Sequence, residues 1–424
     1  MKDHTTGQVD EGFASGVRAA ARAMRRLFEP TPLQRNDHLS AKFGADIWLK
    51  REDLSPVRSY KLRGAFNAMT KAIAANPDQE LFVCASAGNH AQGLAYNCQN
   101  LRKRGVIFMP VTTPDQKVQK TRMFGGEWVE VRLIGDYFDV CLRAAQAFCA
   151  QERGHFISPF DDPDVIEGQA TVTLEILDQL GRDPDLLILP VGGGGVSSGA
   201  RKITDALGSK AALKFVEPAG GACLTAALEA GAPTTLNAID TFVDGAAVAR
   251  IGERTFDVLK STPPEDVLLA PENRICTTLI EMLNIEGIVL EPAGALAIDV
   301  LDELRREIAG KTVVCLTSGG NFDFERLPEV KERAQKYSGL KKYMILRMPQ
   351  RPGALKDFLG MLGPDDDIAR FEYLKKSARN FGSVLIGIET KDAANFSALF
   401  AQMEAAGFVY DDITENDTLA NFVI

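Results

Sequence analysis

Between about residue 47 and residue 320 the chain alternates short, almost continuously apolar runs with longer stretches of helical spacing. "ADIWLK" (45–50), "LFVCAS" (81–86), "RGVIFMP" (104–110), "EWVEVRLI" (127–134), "LLILPV" (186–191), "LKFVEP" (213–218) and "TVVCLTS" (312–318) read as strands. A strand that is apolar at successive positions is covered on both faces, whereas a strand with one wet face alternates. "HAQGLAYNCQNL" and "GQATVTLEILDQLG" supply helices between the runs. This rhythm predicts an α/β region of open parallel sheets wound with helices. In such sheets ligands bind outside the C-terminal ends of the strands, which says where to look for a site.

Around "RLPEVKERAQKYSGL" (326–340) the chain turns charged and ends in Ser-Gly, and residues 326–339 read as a linker. Beyond it the order becomes βαββαβ: "KKYMILRM", "PGALKDFLGML", "IARFEYLKK", "SVLIGIET", "AANFSALFAQMEAAG" and "FVYDDIT". That order predicts a ferredoxin-like unit over 340–424, with a catalytic region over 1–325.

Composition excludes several functions. With 45% hydrophobic and 25% charged residues the chain is an ordinary globular protein, and a net charge of −9 argues against binding nucleic acid or an anionic membrane. Seven cysteines form no C-x-x-C pair, and four histidines (His4, His38, His90, His155) lack zinc-ligand spacing, so no metal site is expected. The acidic start "MKDHTTGQVDEGF" does not resemble a secretory signal, although the following "ASGVRAAARAMRRLF" is an arginine-rich probable helix. No apolar run approaches the roughly 18–20 residues that span a bilayer. The expected compartment is the cytoplasm.

Three strand-end loops and one lysine carry the chemistry. "SAGNHAQG" (86–93) follows a strand and opens a helix; its Ser, Gly and Asn are ordinary capping residues, yet free amides there suit a carboxylate. "PVGGGGVSSG" (190–199) places four glycines where a turn needs one or two. Such a loop aims several N–H groups into one concavity that fits a phosphate, and it is neither G-x-G-x-x-G nor a Walker A loop. "CLTSGGNFD" (315–323) brings a neutral hydroxyl able to face a heteroaromatic nitrogen. In "VRSYKLRGAF" (57–66) a lysine, ordinarily a solvated charge, sits between an aromatic residue and a helix start. A lysine for a Schiff base, a phosphate nest and a hydroxyl for a ring nitrogen together point to pyridoxal 5'-phosphate.

These motifs resemble the fold-type II pyridoxal-phosphate enzymes, and within them the biosynthetic threonine dehydratases (threonine ammonia-lyases). The resemblance runs through "TPLQRNDHLS", "LKREDLSPVRSYKLRGAF", "SAGNHAQG", "GGGGVSSG", "EPAGAL" and "TSGGN" and covers nearly the whole chain. It implies that Lys61 bonds the cofactor, that Tyr60 flanks its ring, and that Asn89 bonds its 3' oxygen. It further implies that Gly192, Gly193, Gly194 and Gly195 hold the phosphate and that Ser318 faces the pyridine nitrogen. Ser86, Gly88, Asn89 and His90 would surround the substrate carboxylate, with "VDGAAV" (243–248) and Glu291 as further pocket walls. One departure is clear: "VEPAGGAC" keeps Glu217 without the second acid of the serine racemase cation site.

By the same resemblance the activity is deamination of L-threonine to 2-oxobutanoate and ammonia by β-elimination, the first step of isoleucine biosynthesis. The C-terminal unit resembles a single ACT-type regulatory domain, with Gly353 in its amino-acid-binding loop, isoleucine as inhibitor and valine opposing it. A homotetramer is the family's usual assembly. L-serine dehydration or racemisation on the same scaffold, and a catalytically silent amino-acid sensor, are the alternatives.

Overall fold

The computed structural model describes residues 11–374 and 380–416; the readings of 1–10, including His4, fall outside them. The chain divides into two compact units between Asp323 and Phe324.

The first unit holds two sheets. A six-stranded sheet runs in the order Leu33–Arg35, Asp46–Arg51, Thr312–Thr317, Leu186–Pro190, Ala212–Pro218, Val267–Ala270. Only its first pair is antiparallel. A wholly parallel four-stranded sheet runs Val129–Leu133, Arg104–Met109, Leu81–Ala85, His155–Phe156. Every residue of Leu81–Ala85, Leu186–Pro190 and Thr312–Thr317 is buried, as continuous apolar runs require. All seven apolar runs became strands. Leu33–Arg35, His155–Phe156 and Val267–Ala270 were not anticipated, being two to four residues long with no room for a period.

Helix Pro163–Leu180 is the spine of this unit. Asp162 caps it by accepting from the Asp164 and Val165 amides, Pro163 opens it, and Gly181 closes it at φ 68°. It touches helix Lys61–Ala75 through glycine: a Cβ on Gly168 would come within 2.7 Å of the Arg63 carbonyl oxygen. The arginine-rich helix Glu11–Met24 buries Ala14, Val17, Ala20 and Met24. Its first half packs on Ala170, Leu174, Ile203 and Ala206 of this same chain.

In the second unit a four-stranded antiparallel sheet runs Asp367–Leu374, Phe381–Glu389, Lys341–Pro349, Val409–Asp412. Helices Ala354–Leu359 and Ala394–Ala405 complete the βαββαβ order. Met344, Leu346, Met348, Val384, Ile386 and Ile388 alternate inward against Phe358, Phe396 and Met403. The stretch read as a linker carries helix Leu327–Tyr337. Only Val330 and Ala334 of it are buried, one turn apart, and Glu332 accepts from Lys341 at 2.5 Å. So thin an apolar stripe leaves little helical signal in the sequence.

Candidate active site

Three loops at C-terminal strand ends converge on one cleft within the first unit. Lys61 is the first residue of helix Lys61–Ala75, and Tyr60 is its cap. The Tyr60 amide donates to the Ser318 carbonyl at 3.3 Å, and Ser59 pairs with Gly319. The lysine therefore stands against the loop "TSGGN". Its Nζ donates to the Pro159 carbonyl at 3.0 Å and lies 5.3 Å from the centre of the Tyr60 ring. Burial pushes its pKa down to about 8, opposed by the Glu291 carboxylate.

The residue after Pro159 reaches the glycine loop. A Cβ on Gly193 would strike the Phe160 ring, and one on Gly195 would come within 3.1 Å of Phe160 Cβ. Gly194, at φ 89°, caps helix Gly195–Leu207 in the left-handed region. Among the described residues, no protein group accepts from the amides of Gly193, Gly194 or Gly195. A side-chain-free loop with unpaired amides at a helix start fits a phosphate.

On the facing sheet, "SAGNHAQG" opens helix Asn89–Leu101. Gly93 lets this helix approach the lysine, since a Cβ there would meet the Leu62 amide nitrogen at 2.9 Å. Asn89 Nδ2 donates to Glu291 Oε1 at 2.6 Å, and Asn321 Nδ2 donates to Asn89 Oδ1 at 2.7 Å. The Gly88 amide donates to Ser86 Oγ at 3.3 Å. His90 is buried with Nε2 3.0 Å from the Ile157 carbonyl oxygen. Burial and nearby Lys61 lower its pKa to about 4, so its imidazole is neutral at pH 7. Ser318 is buried, and its hydroxyl donates to the Ala293 carbonyl at 3.1 Å.

Two features escaped the sequence. Asn321 was quoted only as the end of a motif, yet it ties the two sheets' loops together. The "LKRED" run is buried too: Lys50 and Glu52 are 0% exposed, and Arg63, two residues beyond Lys61, is also at 0%. Arg63 reaches Glu52 at 2.8 and 2.9 Å and Glu175 at 2.8 Å through two bonds, while Lys50 reaches Glu175 at 2.7 Å. Glu217 gives both oxygens to donors, accepting from Leu224 N at 2.6 Å and from Thr225 N and Oγ1 at 2.9 and 2.8 Å. Among the described residues no three potential metal ligands cluster, and no helix is long and apolar enough to cross a membrane.

A lysine amine beside a glycine phosphate cradle, at the mouth of parallel sheets, defines an enzyme of the pyridoxal-phosphate class. Residues 24–319 match the family described as pyridoxal-phosphate dependent enzyme. Residues 332–423 match the C-terminal regulatory domain of threonine dehydratase. The chain is 46% identical over 395 residues to the biosynthetic L-threonine dehydratase of Bacillus subtilis, covering 93% of each. It is 41% identical over 415 residues to that of Lactococcus lactis, covering 97% of this chain and 99% of the relative. Among solved structures, the processed threonine deaminase isoform 2 of Solanum lycopersicum superposes with a TM-score of 0.71 at 34% identity. That match covers 78% of this chain and 96% of the other. The chain belongs to the biosynthetic threonine dehydratases, lyases that use pyridoxal 5'-phosphate.

Proposed function

We propose that this protein deaminates L-threonine to 2-oxobutanoate and ammonia. The observation that carries the reading is the Lys61 amine, its pKa drawn down to about 8, hydrogen-bonded to the Pro159 carbonyl next to Phe160, which packs on the glycine loop. When bound, pyridoxal phosphate supplies an electron-withdrawing ring that stabilises negative charge at the substrate's Cα.

The chain's own residues do the rest. Gly192 to Gly195 would hold the phosphate by backbone N–H groups, and Asn89 would give the ring's oxygen the Nδ2 hydrogen that Glu291 does not take. Ser318 would turn its hydroxyl from the Ala293 carbonyl toward the ring nitrogen, in place of a carboxylate. The Ser86–His90 loop binds the substrate carboxylate; His90 acts there through its amide, because its imidazole is neutral and its Nε2 is bonded to the Ile157 carbonyl. Tyr60 flanks the ring and closes one side against water. Lys61, with a pKa of about 8 and so about a tenth neutral at pH 7, removes the Cα proton and holds it on Nζ. The β-hydroxyl departs as water with the proton that Lys61 gives up again, and the enamine released takes water back as it hydrolyses to the oxo acid and ammonia. Serine lacks one methyl, worth about 1–3 kcal/mol in a pocket, so L-serine is a slower second substrate.

The regulatory unit binds an amino-acid effector. Isoleucine as inhibitor, valine as its antagonist, a homotetramer and a cytoplasmic location complete the reading, on the strength of the family. The division at 325 and 340 into catalytic region, connector and regulatory domain belongs to it as well.

The test is 2-oxo acid release from L-threonine and L-serine, with and without isoleucine, by wild type and Lys61→Ala. Threonine turnover that isoleucine suppresses and K61A abolishes is the expected outcome. Turnover retained by K61A removes the lysine assignment, and no 2-oxo acid from either substrate removes the lyase.

A further inference from the structure

The amide of Asn321 is oriented by one backbone atom. Asn321 Nδ2 donates to the Val57 carbonyl at 2.8 Å and to Asn89 Oδ1 at 2.7 Å. A carbonyl oxygen can only accept, so the nitrogen of Asn321 must face Val57, and side-chain amide direction is set by such neighbours. The group that nitrogen meets on Asn89 must then be the oxygen. It follows that Asn89 turns its own nitrogen to Glu291 Oε1, 2.6 Å away. Each link fixes the next, from a buried backbone carbonyl to a carboxyl group.

Glu291 is pinned from the other side as well. It caps helix Pro292–Asp299, its amide donates to the Gly319 carbonyl at 3.2 Å, and its carboxyl lies against Gly319, where a Cβ would strike Oε1. With Oε1 committed as an acceptor, a proton on Glu291 can reside only on Oε2. Burial and the Asp244 carboxylate raise this carboxyl's pKa to about 7, while the Asn89 amide, Lys117 and Lys120 oppose the rise. Its charge is felt by Lys61 and by Tyr60.

We propose that Asn321 is a positioning residue, which through Asn89 fixes which oxygen of Glu291 can bear a proton, against the Gly319 loop that pairs with Ser59, two residues before Lys61. Glu291 is the titrating neighbour of Lys61, and Asn321 sets its proton affinity without touching it. The inference rests on the lyase reading above. Without the Asn321 donor, Asn89 is free to present its oxygen to Glu291, and an acceptor facing a carboxyl favours the protonated form. Loss of the donor therefore raises the affinity for the proton.

The experiment is a pH titration of the bound cofactor's visible absorbance in wild type, Asn321→Leu and Glu291→Gln holoenzymes, alongside kcat, KM and melting temperature. The wild type should show a step near neutrality that E291Q lacks. N321L should move that step up by about one unit, tenfold in proton affinity, and lower kcat with little change in KM. If N321L is recovered unfolded, Asn321→Asp keeps the shape and also cannot donate to Val57; its upward shift must vanish in the E291Q background. A lowered melting temperature with an unmoved spectral step and kcat makes Asn321 a packing residue and overturns the proposal. An E291Q titration identical to wild type overturns it too. A wild type with neither cofactor absorbance nor 2-oxo acid release would instead sink the lyase reading.

Discussion

Replacing Glu175 with Gln removes one charge from a site that holds three cations around two carboxylates. Lys50 and Arg63 both reach Glu175 at distances of 2.7–2.8 Å, and Arg25 reaches it from the helix side. Arg63 also bonds Glu52, so E175Q leaves two buried cations sharing Glu52 alone. Two routes give the magnitude. Breaking a buried pair by deleting one partner costs about 3–5 kcal/mol. Burial opposes ionisation of Glu175, but Arg63 and then Lys50 outweigh it and bring its pKa from 4.5 to about 2. At 1.36 kcal/mol per unit that shift corresponds to about 3 kcal/mol. Lys50, already pushed below its ordinary range by burial, can shed its proton in the variant and limit the loss. The expected effect lies near the lower figure, about 3 kcal/mol.

Urea denaturation of the holoenzyme at pH 7 reads this out; with a slope of about 3 kcal/mol per molar, the midpoint should fall by about 1 M. The pH dependence gives a second check. A carboxylate whose folded pKa is depressed stabilises the fold above its unfolded value, and that contribution is lost as pH falls through the folded one. The gap between wild type and E175Q should therefore be full above about 4.5 and narrow toward pH 2. A gap below about 1 kcal/mol at pH 7, or one that stays constant as pH falls below 4.5, refutes the reasoning.

Two other perturbations follow from the geometry. Gly193→Ala drives a methyl into the Phe160 ring and should weaken cofactor binding at least tenfold, read by absorbance titration of the apoenzyme, with the melting temperature of the regulatory unit unchanged. Gly353, at φ 86°, caps helix Ala354–Leu359; Gly353→Ala should strain that loop by about 1–2 kcal/mol and blunt the response to isoleucine while leaving basal threonine turnover intact.

Lys61 was legible only together with the glycine loop and the Ser318 hydroxyl, since a lone lysine reads as a solvated charge. Four glycines exceed what a turn requires. Strand runs such as Leu186–Pro190 were legible because burial on both faces leaves no polar residue in them. The buried Lys50–Glu52–Arg63–Glu175 cluster was not, because charge along a sequence reads as exposure until the shared partner Glu175, more than 100 residues from Lys50 and Arg63, is known. Asn321 escaped for a related reason. An Asn after two glycines is what any turn would carry, and only its separation of 232 residues from Asn89 being closed in space gives it meaning.

That hidden cluster bears on the chemistry two residues away. An unpaired carboxylate near Lys61 would hold the amine charged, which is the wrong state for the proposed base. Arg63 has every guanidinium nitrogen bonded, taking up both carboxylates, with Thr31 and Thr171 as further partners. Among the described residues Glu291 is the carboxylate that raises the proton affinity of Lys61, and burial outweighs it. Lys61 stands at the positive end of its helix, which further disfavours the ammonium form. The "LKRED" charges thus staple strand Asp46–Arg51 to helix Pro163–Leu180. Glu291, the carboxylate that acts on the Lys61 amine among the described residues, stands apart from that cluster and is held in place by Asn89 and Asn321.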